Sequence, residues 1–233
     1  MPQTAVIAGV GPGLGESLAR KFASVGCVVG LLARSGEYVD DLADDLPGPG
    51  DGIGVETDVS DPGQVAAAFD AVRDAFGPVD VLVVNASAAA WNGLMDASLE
   101  EFERAFAVNG RGAFLCSREA VADMLDGDGG TVIFTGATTA VRGRGGAIGF
   151  SAAKFAARGM AEDMARELGP QGIHVAHVVI DGQILPASGP VAGRDEETYL
   201  DPDEIAAEYW HLVEQDRSAW TLELDLRPHV EEF

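Results

Sequence analysis

Short uncharged runs alternate along the chain with stretches of helical period. Thr4-Ala5-Val6-Ile7-Ala8 carries no charge, and Leu14, Leu18, Lys21, Phe22 and Val25 then fall at helical spacing. The same change of period recurs. Cys27–Ala33, Gly52–Val59, Val79–Val84, Thr131–Thr135 and Ile173–Ile180 read as strands, with Thr221–Leu226 as a closing one. Continuous rather than alternating apolar runs mark a parallel sheet covered on both faces. Helices are expected over Glu37–Leu46, about Gly112 to Leu125 and about Phe150 to Leu168. Three more begin at caps: Asp61 with Pro62 and Gln64, Ser98 with Glu101, and Asp201 ahead of a helix to about Gln215. Gly77-Pro78 and Gly169-Pro170 are stop signals. Gln183 to Leu200 has little periodicity and is expected to be a flexible loop.

Strands alternating with helices define an α/β protein. The spacing predicts a Rossmann-like doubly wound parallel sheet of about seven strands, with helices on both faces. With no linker or repeat, 1–233 reads as one domain. Ligands of such sheets sit outside the C-terminal strand ends, at the topological switch point. Those ends carry Gly9 to Gly15, Arg34, Asp58, Asn85, Thr135 to Thr139 and Asp181-Gly182.

The first of these ends carries the clearest chemistry. Gly9-Val10-Gly11-Pro12-Gly13-Leu14-Gly15 lies between a strand and a helix. Unpaired N–H groups and the helix dipole favour an anion there, and glycine permits its close approach. A plain tight turn is the bland alternative. At the end of the second strand, Arg34 is followed by Ser35 and preceded by Ala33, with no acid to bond a free ribose 2′-hydroxyl. A guanidinium there favours a 2′-phosphate, so NADP(H) is expected over NAD(H); a solvated surface arginine is the alternative.

Charge changes the picture of the surroundings more than of the fold. Asp and Glu number 38 against 15 Lys plus Arg, a net charge of −23. Lys21 and Lys154 are the only lysines. The acids are dispersed, from Asp40-Asp41 to Glu231-Glu232. Such a coat suits a salt-saturated cytosol, where screening reaches a few Å, although an acidic protein of ordinary salt remains open. Nucleic acid is not an expected partner. The apolar runs are too short to span a membrane, and no secretory segment is expected ahead of the first strand. Cys27 and Cys116 form neither a disulfide framework nor a metal pattern, which fits reduced thiols in a cytoplasm. His174 and His177 lack a metal-ligand partner and are expected to be structural.

Taken together, the chain resembles the short-chain dehydrogenase/reductase family. The family's glycine opening corresponds to Ala8 through Gly15, with Gly9, Gly11, Gly13, Leu14 and Gly15 expected at the cofactor. Its Asp-Val pair is Asp58-Val59, its Asn-Asn-Ala-Gly is reduced to Val84-Asn85-Ala86-Ser87, and its helix asparagine is Asn109, with Gly112 and Phe114. Gly182 and Ile184, after strand six, complete the cofactor set that the resemblance implies.

The active-site signature departs from the family. Phe150-Ser151-Ala152-Ala153-Lys154 keeps the lysine and lacks the phenol, and the family's serine falls on Ala137. Asp181-Gly182 stands for a Pro-Gly. A phenol of pKa near ~10 normally passes the proton, a step worth ~10²–10⁴-fold. The resemblance implies that Lys154 still holds the nicotinamide ribose and Asn109 still orders water. A water, or a hydroxyl from Thr135, Thr138, Thr139 or Ser151 with water or Lys154 behind it, would replace the phenol, with Thr138 taken as the candidate. Trp91 is a candidate for the pocket wall. Three readings follow: an oxidoreductase with an altered proton route acting on a small molecule, a non-catalytic NADP(H)-binding sensor or partner subunit, and lyase or epimerase chemistry in the same pocket. Small residues are expected on exposed helix faces (Ala113, Ser117, Ala120, Ala152, Ala156, Gly159); the resemblance implies that they form the interface of a homodimer or homotetramer, and ordinary packing within the chain is the alternative.

Overall fold

Thr4–Ala8 (β1), Val81–Val84 (β4) and Ile173–Ile180 (β6) are buried at every position, as uncharged strands at the centre of a two-faced sheet must be. Val28–Ala33 (β2), Asp51–Glu56 (β3), Gly130–Thr135 (β5) and Glu223–Leu226 (β9) complete it. The computed structural model describes residues 2–231; Met1, Glu232 and Phe233 lie outside that range. All seven strands run parallel in the order β3-β2-β1-β4-β5-β6-β9. The chain order reverses direction between β1 and β4, which opens a crevice above their carboxyl ends.

Alternate residues of each strand feed two cores. Ala5, Ile7, Val29 and Leu31 pack under Leu14–Ser24 (α1), Gly36–Asp44 (α2) and Pro202–Val213 (α7). Val6, Ala8, Leu32 and Leu82 pack under Pro62–Phe76 (α3), Ala113–Asp126 (α5) and Ile148–Leu168 (α6). The expected caps are present. Asp61 accepts from the N–H of Gly63 and Gln64, Asp201 accepts from Asp203, and Ser98 with Glu101 forms a capping box opening Leu99–Phe106 (α4). The Gln64 side chain reaches past the cap to accept the Asp58 N–H at 2.9 Å.

Three expectations are corrected. The segment from Gln183 to Leu200 is not wholly irregular: Gln183–Ile184 (β7) pairs in parallel with Tyr199–Leu200 (β8). Burial of Tyr199 and Leu200 anchors the pair, and two-residue strands leave no readable period. The small residues Ala113, Ser117 and Ala120 are not an exposed face, because they are buried against the sheet. The large apolar groups that α5 and α6 present to solvent are Phe114 and Leu125 on α5 and Ile148 and Phe155 on α6. A π-helical turn, Ala107–Gly112, joins α4 to α5 without a break, so no new helix start occurs at Gly112.

Candidate functional site

The opening glycines divide their work between packing and open space. Gly9 has φ +109°, and a Cβ there would stand 2.2 Å from the backbone nitrogen of Ala86. A Cβ on Gly15 would meet the Gly9 carbonyl oxygen at 2.9 Å. These two hold β1, α1 and the end of β4 together. Gly11 and Gly13 have nothing within 4 Å of a Cβ position, and Gly11 lines the cavity. Gly13 is the N-cap of α1, and no side chain caps that end. The Glu16 N–H donates to the Gly11 carbonyl at 3.1 Å, and the N–H groups of Leu14 and Gly15 are left to await an acceptor.

At the end of β2, Arg34 is exposed and forms no ion pair among the described residues. Asp58, across the cleft, accepts from the Ser60 hydroxyl at 2.7 Å and the Ser60 N–H at 2.9 Å. Those bonds, with help from Arg34 and Arg104, hold its carboxyl below the usual range. Ser35 caps α2 without bonding to it and lies off the cavity wall; Val59 is buried and lines the wall.

Over the centre, side chains from four elements meet in one network. Tyr209 on α7 donates to Thr135 Oγ1 at 2.9 Å, Thr135 donates to Asn85 Oδ1 at 3.0 Å, and Asn85 donates to the Gly9 carbonyl at 2.7 Å. Lys154 Nζ donates to the Thr135 carbonyl at 2.8 Å. Burial pushes the Lys154 pKa down to about 8. Asn109 is committed to the protein itself: its amide donates to the Ala88 and Ala105 carbonyls, both at 2.9 Å, and its Oδ1 accepts from Ser87. It braces the exit of β4 against the π-helical turn.

Phe150 stacks edge-on against Trp91 at 5.5 Å and sits under the Lys154 ammonium at 5.7 Å. Ala137 supplies no hydroxyl. Thr138, next along, donates to Asp181 Oδ1 at 2.6 Å. Asp181 is buried and also paired with Arg142 at 3.1 Å and Arg227 at 3.3 Å. Thr139 is buried with its hydroxyl unpartnered. A cavity of about 1470 Å³ joins these parts, lined from Gly9 and Arg34 through Asn85, Ala86, Ser87 and Lys154 to Gly182 and Ile184. That exceeds the ~300–1,000 Å³ of common small-molecule sites.

Of the residues expected at the cofactor or the reaction centre, Gly13, Ser35 and Asn109 do not line this cavity and the rest do; Asp181, which stands in place of the family proline, lies behind Thr138 and off the wall. His174 binds the Leu212 and Thr221 carbonyls and stacks on Trp220, and His177 pairs with Glu223, so both tie β6 to its neighbours. Burial lowers both their pKa values. Sequence reasoning missed the Tyr209 link and the use of Asp181. Tyr209 reads as a core position of an amphipathic helix, and its partner Thr135 is 74 residues away.

An uncapped helix N-terminus at a switch point, beside a buried lysine, defines a dinucleotide-binding α/β protein. The chain belongs to the short-chain dehydrogenase/reductase family: the model of the family described as short chain dehydrogenase matches residues 3–183. Members of this family are oxidoreductases, and the fold binds a nicotinamide cofactor. The chain is 31% identical over 176 residues to a 3alpha-hydroxysteroid dehydrogenase of Mediterraneibacter gnavus, covering 74% of this chain and 70% of that one. It is 33% identical over 197 residues to a chloroplastic NADPH-dependent aldehyde reductase-like protein of Arabidopsis thaliana, covering 78% and 72%. An alcohol dehydrogenase of the archaeon Thermococcus sibiricus, complexed with 5-hydroxy-NADP, superposes with a TM-score of 0.88 at 27% identity, over 100% of this chain and 99% of that one.

Proposed function

We propose that this protein is an NADP(H)-dependent oxidoreductase that interconverts a small alcohol and its carbonyl compound. The observation that carries the reading is a single cleft lined by Gly11 and Leu14 at the open end of α1, by the unpaired Arg34 and by the buried Lys154. Diphosphate oxygens would take the first-turn N–H groups of α1. Arg34 would take a 2′-phosphate by charge-assisted bonds, and Ala33 offers no acid that would prefer a free hydroxyl. The Thermococcus structure contains an NADP derivative and the Arabidopsis relative is described as NADPH-dependent, which supports the same choice.

When bound, the nicotinamide supplies or takes the hydride. The Lys154 ammonium holds the adjoining ribose hydroxyls. Phe150 takes the place that the resemblance gives to a phenol; with Trp91 it shields the reacting carbon from water and carries no proton. Several hydroxyls line the cleft, but among the described residues Thr138 alone is backed by a carboxylate. In the oxidising direction the substrate hydroxyl gives its proton to Thr138 Oγ1 as Thr138 gives its own to Asp181 Oδ1. Reduction runs the same transfer backwards. Asn109 positions Ser87 and the β4 exit.

The acidic coat fits work in a concentrated-salt cytoplasm, and Phe114 and Phe155 offer the apolar face for a homodimer or homotetramer. Among the described residues no helix is long and apolar enough to cross a membrane. The test is turnover of NADPH with a panel of aldehydes and ketones in molar KCl. Oxidation of NADPH that falls in Asp181→Asn supports the reading. Tight NADPH binding with no turnover, and activity appearing in Phe150→Tyr with Ala137→Ser, would favour a non-catalytic binding protein.

A further inference from the structure

The arginines divide into three groups, of which Arg111, Arg118 and Arg217 lie off the cavity and engage the Ser60 carbonyl, the Phe114 ring and the Asp128 carbonyl. Arg20, Arg73, Arg142, Arg158, Arg166 and Arg227 are each paired with at least one carboxylate. Arg34, Arg104, Arg144 and Arg194 line the cavity, and none has a carboxylate partner among the described residues. In a chain with 38 acids to 15 Lys plus Arg, four cations with no ion-pair partner line one cleft, whose own acids are Asp58, bonded to Ser60, Glu101, held in its capping box, and Glu231. Arg34 and Arg104 both act on Asp58, at the adenine end. Arg144 and Arg194 lie on the two segments that frame the other half. Arg144 is in the loop that leads into α6 and Phe150, and Arg194 is in the excursion between β7 and β8.

Arg194 is also fixed in place. Its guanidinium donates to Gln183 Oε1 and to Thr198 Oγ1 at 3.1 Å, and it stacks over the Tyr199 ring at 5.0 Å. All three partners are neutral, so its charge is oriented but not cancelled. Trp91 and Phe150, in edge-on contact, line the same cavity as the two arginines and Lys154.

Resting on the oxidoreductase reading, we infer that the substrate is an anion. It lays an apolar body against Trp91 and Phe150 and places a carboxylate or phosphate between Arg144 and Arg194. Charge-assisted, bidentate contacts make arginine the suited partner for such a group. The surrounding net charge of −23 repels anions, so local uncancelled cations are what would admit one. A neutral substrate would leave both guanidinium groups without a role.

Isothermal titration calorimetry in molar KCl tests this, with benzoate, phenyl phosphate and benzamide added to the protein saturated with NADP⁺. At least one anion should bind about tenfold or more tighter than benzamide, and the stronger of the two identifies the oxygen donor. Arg194→Gln and Arg144→Gln should each weaken the anion about tenfold, leave benzamide unchanged and leave NADP⁺ affinity intact. Equal binding of all three probes, no binding of either anion, or loss of NADP⁺ affinity without loss of anion affinity would overturn the inference. Arg144 is in an exposed loop, so its replacement tests the site even if Arg194→Gln fails to fold. Absence of NADP⁺ binding would refute the oxidoreductase reading instead, and the same three titrations on nucleotide-free protein would still decide the anion site.

Discussion

The Lys154 ammonium lies 5.7 Å from the centre of the Phe150 ring. Where the family resemblance calls for a phenol beside the lysine, this chain has a dry apolar face. Burial, not a charged neighbour, is what pushes the Lys154 pKa down to about 8. Two opposite pH effects follow. Between about 8 and the ordinary ~10.4, the unfolded chain holds a proton that the folded chain has lost, so stability should rise with pH across that window. If Lys154 donates to the ribose as proposed, affinity for NADPH should fall over the same pH rise, because only the ammonium carries the charge and the full set of donors. Denaturant melts and cofactor titrations at matched pH would show both trends, and Lys154→Met should flatten both.

The two classes of glycine predict opposite phenotypes. Gly9→Ala forces a Cβ to 2.2 Å from the Ala86 nitrogen at positive φ, so it should cost more than about 2 kcal/mol of stability. Gly11→Ala meets nothing within 4 Å and should melt within about 1 kcal/mol of the parent. Its methyl group would stand where a diphosphate must approach, and NADPH affinity should fall by about tenfold or more. Thermal melts paired with fluorescence titration separate the two outcomes.

Asp181→Asn keeps an acceptor for the Thr138 hydroxyl but removes the charge facing Arg142 and Arg227. Arg142 is half exposed, which limits the damage; the expected cost is about 1–3 kcal/mol. Loss of the proton acceptor should lower kcat by about 10²-fold with little change in NADPH affinity. Thr138→Val should match it, and the double variant should be no slower than either single one. Steady-state kinetics on the three variants checks this.

Ion pairs engage only a minority of the 38 acids, so much of the −23 charge is left to solvent and counterions. Screening lengths grow from ~3 Å at 1 M to ~10 Å at 0.1 M salt. Circular dichroism during dialysis from molar KCl should show loss of structure below about 0.5 M. An unchanged melting temperature in dilute buffer would remove the salt-adaptation account.

The sequence made the sheet readable because β1, β4 and β6 have no solvent face and so carry no charge. Asp61, Ser98 and Asp201 announced their helices because a cap is a local device. Other features depend on distant partners. Tyr199 and Leu200 become a strand only by pairing with Gln183 and Ile184. Ala113, Ser117 and Ala120 resemble a contact face between subunits until the helix is rotated onto its own sheet. The hydroxyl of Thr138 was visible as a candidate, but its carboxylate partner is 43 residues on, in the place of a family proline. The four cavity arginines are scattered from Arg34 to Arg194, and only the fold collects them.

Fluorescence titration of the protein with NADPH and NADH in molar KCl tests the central claim most directly. Saturable binding of NADPH, about tenfold or more tighter than NADH and reduced to parity in Arg34→Ala, is the predicted result. No saturable binding of either nucleotide would contradict the assignment of the glycine cleft as a nicotinamide cofactor site.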